Sequence, residues 1–409
     1  PLEVLSRVDR LSRHLDRARR EAFRRSDLEP WEWDVLSALR RAGEPYQLSP
    51  KQLLQQTLVS SGTMTNRIDR LVGRRLVRRE ADPADGRSVL VTLTDDGLAI
   101  TEAGTYVLTG STTGQVTVDT DGAVRIVLDN ATIASAEGAA IQVDSAELTV
   151  IELADGTTNT VSDAATRSDE EIDGAIYSSD DLVITGSGTL DVTAAFADGI
   201  VGKDDLWIES GTLSIASADD GIRGKDSLTI SGGTIVIDAA GDGMKASNDT
   251  DLGKGQLTVT GGDITISTGD DAIKAEQKIW ITGGTIDIVQ SVEGIEAPVI
   301  VIDDGDITLA ASDDGINASA SEIVADGLSI TINGGNLAIV MGQGDTDAVD
   351  SNGDLTITGG TLDITAQSAF DFDGAGSLSG GTVTVNGEQI TELTNQMMGG
   401  PMGGGPGGR

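Results

Sequence analysis

A stretch of 22 residues, Asp220 to Gly241 (DGIRGKDSLTISGGTIVIDAAG), returns in close variants before and after itself, which restricts the chain to folds made by stacking one unit. Aligned on the apolar residue that follows the acidic-glycine step, the repeats place Ile141, Ile176, Ile200, Ile222, Met244, Ile273, Ile295, Ile316, Val349 and Phe370 at one position. From Ile200 the spacings are 22, 22, 29, 22, 21, 33 and 21, a period near 22 carrying two longer insertions.

Within a unit, Leu228, Ile230, Ile235 and Ile237 are apolar and alternate with Thr229, Thr234, Val236 and Asp238. Period two is the signature of strand, not helix. Ser231, Gly232 and Gly233 bend the chain between the two strands, and the double glycine returns at 261–262, 283–284, 334–335, 359–360 and 380–381. Two strands plus a short third at the Asp-Gly-Ile corner fill a repeat and leave no room for a helix, so successive repeats are predicted to pair in parallel. The Leu/Asn pattern of leucine-rich repeats, the GGxGxDxUx of calcium-binding nonapeptide coils and a period of six are all missing. The expected fold class is mainly β: a right-handed parallel β-helix solenoid with a small N-terminal winged helix-turn-helix α+β domain.

Charge divides the chain. Residues 1–100 hold 18 Lys and Arg against 15 Asp and Glu, whereas the remainder holds 10 against 51, a net of -41 within the total of -38. With no cysteine, disulfides and thiolate metal sites are excluded. No apolar run reaches membrane-spanning length, and the opening PLEVLSRVDRLSRHLDRARR reads as an Arg-rich amphipathic helix without the apolar centre of a secretory signal. As written, a cytoplasmic chain with no membrane partner is expected.

In the first 100 residues, Leu2, Leu5, Val8, Leu11 and Leu15 share one helix face, a second helix fits Trp31 to Arg41, and Ser49 and Ser60 cap helices over Pro50–Gln56 and roughly Gly62–Val72. Two helices across a tight turn, the second rich in Ser, Thr, Asn and Arg, mark a helix-turn-helix. Leu76–Glu80 and Ser88–Thr92 then read as a hairpin wing. The segment SSGTMTNRIDRLVGRRLVRREADPADGRSVLVTLTDDG closely resembles the MarR family of winged helix-turn-helix regulators. That resemblance implies a recognition helix in the major groove of double-stranded DNA, with Ser61, Thr63, Thr65, Asn66 and Arg67 toward bases or phosphates, Arg70 on phosphate and Arg87 at the wing tip. The alternative is that these polar side chains only solvate a helix. Ile68, Leu71 and Val72 are read as core, and His14 is given no role. The family's dimerisation helices are incomplete here, since the helix begun at Thr94 is expected to stop near Ile100.

From Thr101 to about residue 390, the DDGI corners and IxGGxIxI strands resemble a secreted or cell-surface bacterial β-helix family, related in fold to pectate lyases, that binds calcium and carbohydrate. Residues 391–409, rich in Gly, Met and Pro, read as a low-complexity tail. The abrupt junction of two compositions points to a fusion.

The acidic corners, Asp198, Asp219, Asp220, Asp242, Asp270, Asp271, Glu293, Asp313, Asp314 and Asp347, stack at the strand spacing of about 4.8 Å. Like charges so close repel unless something lies between them. Ca2+ takes six to eight oxygens and suits such a column, and the family resemblance implies the same ion, with Asp219, Asp220, Asp242, Asp270 and Asp271 expected to share ions. The alternative is a solvated ladder partly neutralised by Lys203, Lys225, Lys245 and Lys274, the same lysines that would face a bound sugar. Trp207 and Trp280, each between two inward residues, are expected to project from one flat face about three repeats apart, where they suit stacking on sugar rings; otherwise a loop near Ser247–Gly255 covers one.

Three functions remain open at this point. The first is calcium-dependent binding of a plant cell-wall polysaccharide, cellulose or polygalacturonate. The second is DNA-binding regulation with the β-helix as sensor or scaffold. The third is a polysaccharide lyase, which would need one of those lysines with a lowered pKa as base, and no Arg or His is conspicuous in the corners.

Overall fold

The structure, a computed structural model, describes residues 29–43, 46–57, 59–74, 76–81, 89–93, 98–167, 169–342 and 346–395. The chain divides into two compact units, Pro1–Asp96 and Gly97–Arg409. The expected helix over residues 2–15, His14, the wing-tip Arg87, the helix start at Thr94 and most of the Gly/Met/Pro tail lie outside the described residues.

In the first unit, helix α1 (Pro30–Arg41) begins with Pro at N1 and a reciprocal Glu29–Glu32 capping box, and ends before Gly43 at φ 76°. Helix α2 (Pro50–Thr57) follows Ser49, whose hydroxyl accepts the Gln52 N–H while the Gln52 side chain accepts the Ser49 N–H. Helix α3 (Ser61–Gly73) is capped by Ser60 as expected, through the Thr63 N–H. Met64, Ile68 and Leu71, at i, i+4 and i+7, pack into a core with Val35, Leu39, Leu53, Val77 and Val91. Val72 departs from the sequence reading: it is 38% exposed, because it falls off that stripe. Strand β1 (Gln47–Leu48), not foreseen, joins the wing strands β2 (Val77–Ala81) and β3 (Val89–Leu93) in an antiparallel sheet of order β1-β3-β2.

The second unit is a mainly β stack of parallel strands in two sheets, one of 21 strands and one of 12. The corner column expected from the repeat is present as paired residues, from Ile141↔Ile176 and Ile176↔Ile200 through Ile200↔Ile222, Ile222↔Met244 and Met244↔Ile273 to Val349↔Phe370. Strand β4 (Leu98–Ile100) extends it upstream by pairing with Val116–Val118. Leu98–Ile100 is therefore strand, not the end of a helix. Alternation delivers Leu228, Ile230, Ile235 and Ile237 to the core at 0–1% exposure, each flanked by its counterparts in adjoining repeats.

The double glycine has two separate causes. A Cβ on Gly232 would stand 2.6 Å from the Glu209 carbonyl oxygen of the preceding repeat, and Gly233 sits at φ 97°, where L side chains are strained. Gly221, at the acidic corner, is as tightly placed: a Cβ there would lie 2.5 Å from the Gly243 carbonyl and 2.6 Å from Ile237 Cγ2. Gly221→Ala should thus destabilise the second unit by about 1–3 kcal/mol through overpacking. Ser214→Ala, on the exposed side of its strand, should leave the thermal denaturation curve unchanged.

Candidate functional site

Helix α3 turns Ser61, Thr63, Thr65, Asn66 and Arg70 to solvent and leaves Arg67 half-buried. The Thr65 hydroxyl donates to the Ser61 carbonyl, so it is partly engaged within the helix. Arg67 and Arg70 both stack over the Trp31 ring, at 5.5 and 4.8 Å from its centroid. A ring beneath two guanidinium planes restricts their rotamers without using their N–H donors. Arg74 anchors the end of the same helix to α1 through a 2.6 Å ion pair with the buried Glu32.

In the second unit, Asp198, Asp220, Asp242, Asp271, Glu293, Asp314 and Asp347 fall in one column, each two residues before the corner apolar residue, with Asp219, Asp270 and Asp313 exposed beside it. One carboxylate oxygen of Asp198, Asp220, Asp242 and Asp314 is committed to the backbone. Oδ1 of Asp198, Asp220 and Asp242 accepts the N–H of Asp220, Asp242 and Asp271 at 2.9–3.1 Å, and Asp314 accepts that of Asp347 at 2.9 Å. The other oxygen faces an adjacent column that runs Arg223, Lys245, Lys274, Glu296, Asn317, Asp350, Asp371.

That second column divides the ladder in two. Arg223 bonds Asp198 and Asp173 at 2.5 Å and approaches Asp220 at 3.6 Å. Lys245 bonds Asp242 at 2.7 Å and reaches Asp220 at 3.6 Å, and Lys274 bonds Asp271 and Glu296 at 2.6 Å. Carboxylate oxygens do converge within 4.8 Å in the sets Asp198–Asp219–Asp220, Asp242–Asp270–Asp271 and Asp271–Glu293–Glu296, yet each set has one of these cations against it. The expectation that no Arg stands in the corners is corrected by Arg223. It occupies the position of Lys245 and Lys274, one residue after the corner apolar residue, whereas Lys203 and Lys225 stand two residues further on. Lys203 instead lies over the Tyr177 ring and 3.5 Å from Asp173, and Lys225 is exposed. Burial alone would lower the pKa of Lys245 and Lys274, but the carboxylates beside them outweigh it and hold both above the ordinary lysine range. Neither is a general base near neutral pH.

Beyond Lys278 there is no Lys or Arg until Arg409, and the ladder changes character. Asp314 and Asp350 are pushed up to about 6 and about 7, in each case by burial and then by neighbouring carboxylates that include Asp347 and Asp371. Glu293 rises to about 8 for the same reasons, with Glu296 and Asp271 as its neighbours. Asn317, 7% exposed, donates to Glu293 at 3.1 Å while its Oδ1 has no donor, and Asp371 Oδ1 is likewise buried without one. Asn317, Asp350 and Asp371 escaped the sequence reading, which followed the Asp-Gly step and not the column beside it; the cation-free stretch after Lys278 was the available signal.

Trp207 and Trp280 share one column, Trp207↔Thr229↔Thr258↔Trp280, on the outer side of the larger sheet. Their surroundings differ. Trp280 is 41% exposed, its Nε1–H donates to Asp303 at 2.7 Å, and Lys278 lies 5.2 Å from the ring centroid. Trp207 is half-buried.

The chain joins a helix-turn-helix unit to a long parallel β stack with an acidic corner and an aromatic face, and comparison with known proteins gives the same division. Residues 94–345 and 290–396 match the family described as carbohydrate-binding domain-containing protein, and the chain belongs to that family. Residues 26–88 match the MarR family, so a MarR-type helix-turn-helix domain is joined to the carbohydrate-binding domain. The first unit is 38% identical over 100 residues to the HTH-type transcriptional regulator PecS of Dickeya dadantii, covering 24% of this chain and 60% of that one. The second is 35% identical over 143 residues to a carbohydrate-binding domain-containing protein of Acetivibrio thermocellus, covering 33% and 49%. The chain thus spans about half to three-fifths of the lengths of these relatives. Among solved structures, a gadolinium derivative of the polysaccharide lyase-like protein from C. thermocellum is similar at 33% identity and a TM-score of 0.47, over 53% of this chain and 89% of that one.

The basic half of the ladder makes a direct prediction. Arg223→Met leaves Asp198 without its cation and Asp173 with only Lys203, at 3.5 Å, and should cost about 3 kcal/mol, the lower end for breaking a buried pair because Arg223 keeps some solvent contact. Burial already lifts Asp198 to about 6 against the pull of Arg223, so its folded-state pKa lies above the unfolded value. A carboxyl of that kind favours the folded state while protonated and loses that contribution as pH rises through the folded pKa. Chemical denaturation should therefore show the variant's deficit shrinking as the pH falls from about 8 to about 5.

Proposed function

We propose that the second unit winds as a right-handed parallel β-helix and binds a polysaccharide, either of the cellulose type on its tryptophan-bearing face or of the polygalacturonate type through Ca2+ bound at the acidic corner. The observation that carries this reading is the column Trp207–Thr229–Thr258–Trp280, two indoles three repeats apart on one sheet of a carbohydrate-binding family member. Flat aromatic faces at fixed spacing suit successive sugar rings. The right-handed winding is supported by the parallel pairing of every repeat with the next, since crossover connections between parallel strands take that hand.

For calcium, the Asp314–Asp347–Asp350–Asp371 end is favoured over the Asp198–Asp271 end. In the latter, Arg223, Lys245 and Lys274 already lie against the carboxylates. In the former, stacked carboxylates and the unpartnered Asn317 amide oxygen supply hard oxygen donors with no protein cation among the described residues. An ion there would bridge an anionic polymer to a domain whose net charge otherwise repels it. A lyase reading draws no support from Lys245 and Lys274, which the carboxylates beside them hold above the ordinary lysine range.

The same 409-residue chain tests both parts. Calcium at about a hundredfold excess over Kd should add about 2.7 kcal/mol of stability. Asp350→Asn should abolish that calcium-dependent rise in melting temperature, and Asp242→Asn should leave it in place on a lower baseline. In pull-downs, chelator should remove binding to polygalacturonate, while Trp280→Ala should weaken binding to cellulose by about tenfold. An unchanged melting curve with no calorimetric heat would make the acidic end a solvated face.

DNA binding by the first unit is the second reading, favoured by the exposed Ser61, Thr63, Thr65 and Asn66 beside the Trp31-braced Arg67 and Arg70. In gel shifts on palindromic DNA, Asn66→Ala should lose about 1–3 kcal/mol on the preferred site. Arg70→Ala should weaken all sequences alike and lower the salt slope by about 1.

A further inference from the structure

The outer face of the larger sheet carries a groove whose charge does not suit an anionic polymer. It has a volume of about 600 Å³ and lies over the paired strands Ser227–Ile230 and Gln256–Val259, with Thr229 and Thr258 among its lining and Gly253 and Lys254 at its side. The loop bearing those two residues lies in the long, 29-residue repeat and is closed by Asn248, whose Oδ1 accepts the Asp251 N–H at 2.8 Å and whose amide donates to Asp226 at 2.7 Å. This long repeat thus builds a wall beside the tryptophan column and leaves the column's middle rungs as floor.

Four carboxylates, Asp181, Asp204, Asp205 and Asp226, line the groove against one lysine. Lys254 is bound to Asp226 at 2.5 Å, and Asp205 accepts the Ser227 hydroxyl at 2.7 Å and stands where its own N–H meets Asp181. Burial, followed by the neighbouring aspartates, raises the pKa of both Asp181 and Asp204, so the negative charge here is in excess of what the protein compensates. Asp205 and Trp207 lie two residues apart on one strand and so on one face of the sheet, and Trp207 is the in-register neighbour of Thr229 on the groove floor. An indole face, two hydroxyls and carboxylates in excess of cations therefore fall within the span of a short oligosaccharide.

We propose that this groove binds a glycan of amino sugars with free amines, a polycationic glucosamine-type polymer, whose ammonium groups meet Asp204 and Asp205 while a ring stacks on Trp207. The proposal rests on the reading of the second unit as a polysaccharide binder but is independent of the cation corner, which belongs to the other sheet. Charge selects the occupant. A polygalacturonate would place carboxylates against carboxylates, a neutral glucan would gain only the stacking and the hydroxyl bonds, and an amino-sugar chain supplies the missing cations.

The test is calorimetric titration of the 409-residue chain, in chelator and at low salt near pH 6, with glucosamine, N-acetylglucosamine, galacturonate and cello-oligosaccharides of equal length. The glucosamine oligomer should bind at least about tenfold tighter than the others, and the preference should fade as salt is raised. Asp204→Asn, at an exposed position and checked by its melting curve, should reduce the glucosamine affinity several-fold and leave the cello-oligomer unaffected, whereas Trp207→Ala should weaken both. Equal affinity for the acetylated oligomer, tighter binding of galacturonate, or no binding of the glucosamine oligomer would overturn the proposal. So would displacement of the glucosamine oligomer by calcium, which would make the groove a metal site. If the glucosamine oligomer fails while the cellulose and polygalacturonate pull-downs succeed, the groove assignment alone falls; if all fail, the polysaccharide reading falls with it.

Discussion

Everything in the second unit depends on in-register parallel stacking, which sets each side chain about 4.8 Å from its counterpart in the next repeat. For Leu228, Leu257 and Ile279 that rule is favourable, because apolar columns bury one another and the core propagates without a helix. For aspartate it is a cost that must be met in every repeat. The ladder meets it first through the backbone, Asp198, Asp220, Asp242 and Asp314 each accepting the N–H of the next rung, and then through whatever stands in the adjacent column.

The two ends of the ladder meet that second demand differently. From Asp198 to Asp271, Arg223, Lys245 and Lys274 lie across the rungs, each reaching carboxylates of more than one repeat, so charge is balanced along the axis and not within a unit. From Glu293 onward the same position holds Glu296, which takes Lys274, and then Asn317, Asp350 and Asp371, where burial and neighbouring carboxylates raise the pKa of Asp350. A single repeated motif therefore yields a half whose carboxylates are paired with cations of the chain and a half where, among the described residues, none stands beside them. The outer face shows a similar division: Trp280 stands with Lys278 over its ring, and Trp207 neighbours a groove rich in carboxylates.

The first unit reaches its stability by ordinary means, an apolar stripe on each helix and a small antiparallel sheet. Its distinctive feature is Trp31, which spends an aromatic side chain of α1 on bracing Arg67 and Arg70 of α3. Side chains held this way present charge with less rotamer entropy to lose.

Much of this was legible in the residues alone. The period near 22, the alternation of Leu228 to Ile237 and the paired glycines define parallel strands and their register, because a stacked repeat admits one alignment and a slip by one residue would turn every apolar side chain outward. Ser60 as a cap, with Ile68 and Leu71 as core, likewise announces helix α3, while Val72, read as core, is exposed. The acidic column, the Trp207–Trp280 face and the MarR resemblance also followed from the order of residues. What the sequence did not settle was which partner each charge would take. Lys225 and Arg223 are two residues apart, yet Arg223 alone reaches the rungs, since it lies within the corner strand beside them and Lys225 follows its end. Asn317, Asp350 and Asp371 became visible only as neighbours across repeats, and the groove beside Trp207 arises from a loop whose fold depends on Asn248 and Asp226, residues from successive repeats. Local order and periodicity determine strands and register; the compensation of charge is decided between repeats, at distances that only the stacked structure sets.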